Sequence, residues 1–283
     1  MGLSSITPKV ATMKNEAWKA YAKWVETHSR ASVSPPSPLV TQYANEMYAK
    51  IDQAFLYWTA TLPEPDQYDE ALDALSTVDH LITGPDVRGT LVTLNDLSQD
   101  WKGDGNTNFQ ENFLDKLPGM TDRHSKMVLA LHNAYKLAKD IVETSEKDAN
   151  KLADEAIAVF KKQAAADDGV SASDAKILLD MVALAAGIAS AAATGGATLV
   201  LAGIAGVASF ASNRIEGADE PVTLKGDYAL EVADSIATEA HRIKNETEEA
   251  AVGLSQLIGH DIQKISEFND HYVPMRPNIA GPV

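Results

Sequence analysis

Apolar side chains between Pro8 and His28 fall at Val10, Met13, Trp18, Tyr21 and Trp24, in steps of three and four residues with one longer step. That spacing lines one face of a helix, and "SVSPPSP" ends it, because consecutive prolines cannot continue a helical ladder. A second helix is predicted from about Leu39 to Leu62, with Tyr43, Met47, Ile51, Phe55 and Trp58 on one face and "PEPDQ" closing it. Asp66 is placed to cap a short third helix through Leu75, and "TGPD" marks the next break. From Asp86 the pattern resumes through Leu91, Leu94 and Leu97 as far as Trp101.

Two longer stripes follow. Met127, Leu131, Ala134, Ala138, Ile141, Ala149, Leu152, Ala156 and Val159 repeat at nearly heptad spacing, with Pro118–Gly119 kinking or interrupting the run ahead of them. Between Tyr228 and Phe268, Val232, Ile236, Ala240, Ile243, Ala250, Leu254, Leu257, Ile265 and Phe268 form the other. "AAADDGVSAS" breaks the first stripe at Gly169, and Ser173 is placed to cap what comes next. No run of β-branched residues alternates with period two, so no strand is expected. The predicted fold is all-α: an elongated bundle of long antiparallel helices. Its parts are N-terminal helices over 1–85, a helical hairpin over 86–168, an apolar segment with a long C-terminal helix over 169–270, and a proline-rich tail over 271–283, together forming one bundle.

Composition narrows the function. The chain has 283 residues, 6% of them aromatic, and a formal charge of −16. Such a charge argues against nucleic acid, whose binding depends on neutralising phosphates, and offers no basic patch to an anionic bilayer. With no cysteine there is neither a disulfide nor a thiolate metal site. "MGLSSITPKV" lacks the charged and apolar regions of a cleaved signal peptide, and Ile6 stands where a myristoylation signal needs Ser or Thr. The seven histidines show no zinc spacing. "DGNTNF" begins like a calcium loop, but Phe109 occupies the position where glycine must turn the chain. No phosphate loop or nucleophile elbow is present, so no catalytic residue, metal or cofactor is expected.

"DLSQDWKGDGNTNF" holds the most specific signal. Trp101, Lys102 and Gly103 interrupt a helical pattern with a large aromatic followed by a residue free to take positive φ. The physical reading is a helix–turn–helix in which Gly103 ends one helix in the left-handed conformation. Asp104 or Asn106 then caps the next, and Trp101 covers the tip. A leucine-striped helix before the triplet, Phe109 and Phe113 soon after it, and the long stripe beyond resemble the WxG family of helical-hairpin substrates of the type VII (ESX) secretion system, over residues 86 to about 160. The extra helices and the Gly/Ala-rich stretch are similar to those of the larger ESX secretion-associated proteins.

The resemblance implies that Trp101 and Gly103 are read by a secretion machinery. Family members carry a companion Y-x-x-x-D/E signal, which "YAKID" supplies through Tyr48 and Asp52, upstream of the hairpin; Tyr135 and Asp140 are one residue too far apart. A five-residue pattern with two fixed positions arises often by chance, so the residues alone favour Tyr48 as a core position over a signal. Pro118–Gly119 departs from the unbroken second helix of the small members.

Residues 181–213 carry no charge at all. That run exceeds the roughly 20 residues needed to span a bilayer core, but Ala, Gly, Ser and Thr dominate it. Gly187, Gly195, Gly196, Gly203 and Gly206 give it a small-residue surface for close helix packing. It reads as a helix buried in the bundle, as a sheathed hairpin bending at Gly195–Gly196 and entering a membrane on a trigger, or as a permanent anchor. The expectation is therefore a non-enzymatic helical protein, cytoplasmic before export and then secreted from a bacterium without a cleaved signal peptide. Its partners would be the secretion machinery or a helical protein, with a membrane and self-assembly left open. The rival readings are an α-helical pore-forming toxin and a helical scaffold or adaptor.

Overall fold

The computed structural model describes residues 6–28, 38–166, 176–177 and 222–267. The protein is all-α, built on long helices: α1 (Ile6–His28), α2 (Pro38–Leu56), α3 (Gln67–Thr83), α4 (Pro85–Gln99), α5 (Asp104–Phe109), α6 (Leu117–Ala165) and α7 (Ala229–Glu267). Widened π-helical turns extend α2 over Tyr57–Thr61 and α5 over Gln110–Leu114. The one pairing of extended backbone among the described residues is a two-residue antiparallel ladder, Lys176 with Thr223 and Ile177 with Val222. Gly187, Gly195, Gly196, Gly203 and Gly206, the cap expected at Ser173 and the break at Gly169 lie outside the described residues.

Two compact units divide the described chain. The first draws on residues 6–28, 38–66, 139–166, 176–177 and 222–252, the second on 67–138 and 253–267. In the first, most of each apolar stripe is buried where the periodicity places it: Met47, Ile51, Phe55 and Trp58 on α2 and its π turn, Val232, Ile236, Ala240 and Ile243 on α7, and Val10, Met13 and Tyr21 on α1, where Trp18 and Trp24 are half-buried. Tyr43, at the outer end of the α2 stripe, is instead 44% exposed. Amphipathic helices of this kind are held mainly by the burial of that face.

A polar relay crosses this core. The Trp58 indole N–H donates to Ser145 Oγ at 2.8 Å, and Thr247 Oγ1 lies 2.8 Å from the same oxygen and 2.7 Å from the Ile243 carbonyl. A carbonyl only accepts, so Thr247 donates to Ile243 and Ser145 donates to Thr247. Every side-chain donor of the relay is then used, which is the condition for a polar group to sit in a core without a penalty. Ion pairs such as Lys9–Asp154 at 2.7 Å tie the rim; exposed as they are, each is worth about 0–1 kcal/mol.

In the second unit burial is sparser. α3 has no buried residue, and Ser98 is the only one on α4. α3 is held against α6 by the Ser125 hydroxyl donating to Asp79 Oδ1 at 2.6 Å and by an edge-on Tyr68–Tyr135 contact. α3 runs on to Thr83, beyond the end expected near Leu75. The run is interrupted, not kinked, at Pro118: a turn at Asp115–Lys116 separates the two helical stretches, and Pro118 falls in the first turn of α6, where its missing N–H costs nothing. The α6 stripe also departs from the heptad reading, since Leu131 is 36% exposed while Leu137 is 1% exposed.

On α7 the half-buried Glu246 has its pKa raised, first by burial and then by the neighbouring Glu249, with Arg242 opposing. A carboxyl raised on folding makes the folded state bind the extra proton between its unfolded and folded pKa values. Stability from this group therefore rises as pH falls through that window and is lower above it. Glu246→Gln is expected to raise the melting temperature at neutral pH and to flatten its rise toward mildly acidic pH. Melting curves across pH 4–7 check this; an unchanged pH profile would contradict it.

Candidate functional site

α4 closes in a tight turn in which the Trp101 N–H donates to the Ser98 carbonyl at 3.2 Å. Trp101 and Lys102 are irregular, and α5 begins at Asp104. The break therefore lies within the expected residues, but its chemistry differs from the expectation. Gly103 does not end α4 in the left-handed helical conformation. It opens α5 as its N-cap, with φ 112° and ψ 175°, a region open essentially to glycine alone. Neither Asp104 nor Asn106 caps that helix: no side-chain cap bond forms, and the Asn106 Oδ1 is buried with no hydrogen bond. The Gly103 carbonyl instead accepts from the Asn106 and Thr107 N–H groups at 2.9 and 3.3 Å, which sets the first turn of α5.

Trp101 is 40% exposed. Its ring lies 5.8 Å from that of Phe109, which stacks on Phe113 at 5.3 Å. Phe109 and Phe113 are four residues apart on the continuous α5–π segment, so they share a face. Gln110 on that segment donates through Nε2 to Ser98 Oγ at 3.1 Å, fixing the end of α4 to the π turn. The result is an aromatic ladder, Trp101–Phe109–Phe113, with the indole at one end; Leu97, four residues earlier in the chain, is 68% exposed. Such a surface is suited to contact with another macromolecule: it has apolar area, a fixed ring and an indole N–H.

The other sequence-predicted pair sits in the first unit, whereas Trp101 and Gly103 belong to the second. Tyr48 and Asp52 are one turn apart on α2 and meet through α1: Lys14 Nζ donates to both Asp52 carboxylate oxygens at 2.9 and 3.0 Å and stands 5.9 Å from the Tyr48 ring centroid. Burial pushes the Tyr48 phenol up, against the opposing pull of Lys14. Both residues thus have a structural use in joining α1 to α2. No group of His, Asp or Glu suited to a metal occurs among the described residues, and no helix among them is long and apolar enough to cross a membrane.

No family model matches this chain, and neither a curated protein nor a solved structure matches it.

Proposed function

We propose that this chain is a non-enzymatic helical protein exported by a type VII secretion system, cytoplasmic until export and secreted without a cleaved signal peptide. The Trp101–Gly103 turn is the element that the export machinery reads. One observation carries the reading: Trp101 sits at the break between two helices, against the Phe109 ring, with 40% of its surface left exposed. A tryptophan serving only to plug a turn would bury its indole, since leaving apolar area in water forgoes about 25 cal/mol per Å². Tyr48 and Asp52 are the companion signal in this proposal.

The test compares export of wild type and Trp101→Ala in strains with and without the type VII ATPase. Trp101→Ala should keep its circular dichroism, lower the denaturation midpoint modestly through the lost contact with Phe109, and lose most of its export. Equal export of both variants would leave the turn a purely structural feature.

A second reading, a pore-forming protein with a sheathed hairpin, is favoured by the ladder at Lys176–Ile177 and Val222–Thr223. The pairing brings together the two ends of residues 178–221, which include the uncharged run, as an inserting hairpin requires. The two readings are compatible, since an exported protein can act on a membrane. Dye release from liposomes at neutral and acidic pH tests the second, and no release at either pH would contradict it.

A further inference from the structure

In the first unit, α2 and its π turn run beside α7 in the same direction: Lys50 pairs with Asp234, Lys244 stands over Tyr57 at 5.9 Å, and Thr61 and Glu248 share the far end. Between them lies an open groove of about 630 Å³, within the roughly 300–1,000 Å³ typical of small-molecule sites. Its apolar lining is Ala54, Ala237 and Ala240 together with Leu56 and Tyr57. Methyl groups there leave room and offer no hydrogen bond, so whatever lies on them is apolar.

The polar groups on the walls are unequal. Lys50 is bound to Asp234 with Glu46 at 3.5 Å, so its charge is already balanced. Lys244 is held loosely, 3.4 Å from Glu248, longer than the roughly 2.7–2.9 Å of a strong charged hydrogen bond. The exposed side chains of Gln53 and His241 also line the groove and make no hydrogen bond among the described residues. One loosely held cation, two polar side chains without a protein partner and a largely alanine lining therefore share one groove, on a chain of net charge −16.

We propose that this groove binds a small aliphatic carboxylate. Its head group is held by Lys244 with Gln53 and His241, and its chain lies along Ala240, Ala237 and Ala54 toward the Lys50–Asp234 pair. A singly charged head fits better than a phosphate, because only one lysine is available and Glu248 adjoins it. An alkylammonium ion is disfavoured by the same lysine.

Titration calorimetry of the full chain with sodium butanoate, hexanoate, octanoate and decanoate tests this. Affinity should rise about fourfold for each added methylene until the groove is filled, as burial of a CH₂ group dictates. Octylammonium should not bind. Lys244→Met should weaken octanoate about tenfold, as expected for a lost hydrogen bond to a charged group. Ala237→Leu, a substitution that helices accept readily, should abolish binding with unchanged circular dichroism. Absence of octanoate and decanoate binding, equal binding of octylammonium, or full binding to Ala237→Leu or Lys244→Met would overturn the proposal.

Discussion

Trp58→Ala is expected to destabilise the first unit by about 3–5 kcal/mol, the usual cost of emptying a buried aromatic site. The side chain is fully buried, packs against Phe55 with ring centroids 6.1 Å apart, and anchors the relay through Ser145 to Thr247. Removing it leaves a cavity bounded by helices that cannot all collapse, because their other contacts hold them. Two companion variants separate volume from hydrogen bonding. Ser145→Ala keeps the ring but orphans its buried N–H, at a cost of about 1–3 kcal/mol. Trp58→Phe keeps most of the volume and removes the donor, leaving Ser145 still able to donate to Thr247, so it should cost less than Trp58→Ala. Urea denaturation followed by circular dichroism gives the ordering. A Trp58→Ala midpoint within error of wild type would mean that this residue is not the core it is drawn as.

Gly226→Ala is the second large effect. Gly226 has φ 147°, and a methyl group there would stand 2.7 Å from the Val232 amide nitrogen and 2.8 Å from Glu231 Cβ. Both belong to the first turn of α7, which is fixed by Glu231 accepting from the Asp227 N–H at 2.8 Å and by Ser235 accepting from the Lys225 N–H at 3.0 Å. The substitution thus meets two costs: roughly 1–3 kcal/mol for a backbone conformation that side-chain-bearing residues rarely adopt, and roughly 1–3 kcal/mol for overlap that rigid backbone must yield to. Gly103→Ala is the contrast. It shares the positive φ, but a Cβ there meets nothing within 4 Å, so only the first cost applies. Gly226→Ala should therefore have the lower denaturation midpoint of the two; the reverse order would contradict the geometry.

Much of the fold was legible because burial follows periodicity wherever a helix has a single buried face. On α7, Val232, Ile236, Ala240, Ile243, Ala250, Leu254 and Leu257 are buried as the stripe requires, whereas Ile265 is half-buried and Phe268 lies outside the described residues. On α6 the same reasoning slipped. Leu131 and Leu137 are both plausible on spacing, and the choice between them rests on neighbours far away in sequence. The π turns were not legible either: widening a helix by one residue leaves its composition unchanged, yet at Tyr57–Thr61 it accompanies the placement of Trp58 and Leu62 in the core. The two-residue ladder is too short to produce an alternating pattern.

At the candidate site, a tryptophan two residues before a glycine located the break, and positive φ at Gly103 is what glycine is for. The role of that glycine was not legible, because ending one helix and opening the next make the same demand on sequence. The Trp58–Ser145–Thr247 relay was equally hidden: a serine and a threonine on long helices are ordinary surface residues until the fold brings them to one indole. Asp52 shows the converse. Its spacing from Tyr48 suggested a signal, and the structure gives it a lysine.

The most direct measurement is the fraction of wild-type chain in the medium of a host that carries a type VII system, against an isogenic strain lacking its ATPase. Export is predicted to depend on the ATPase, with Trp101→Ala in the intact strain retained in the cells like wild type in the deletion strain. Equal release of the wild-type chain from both strains would contradict it.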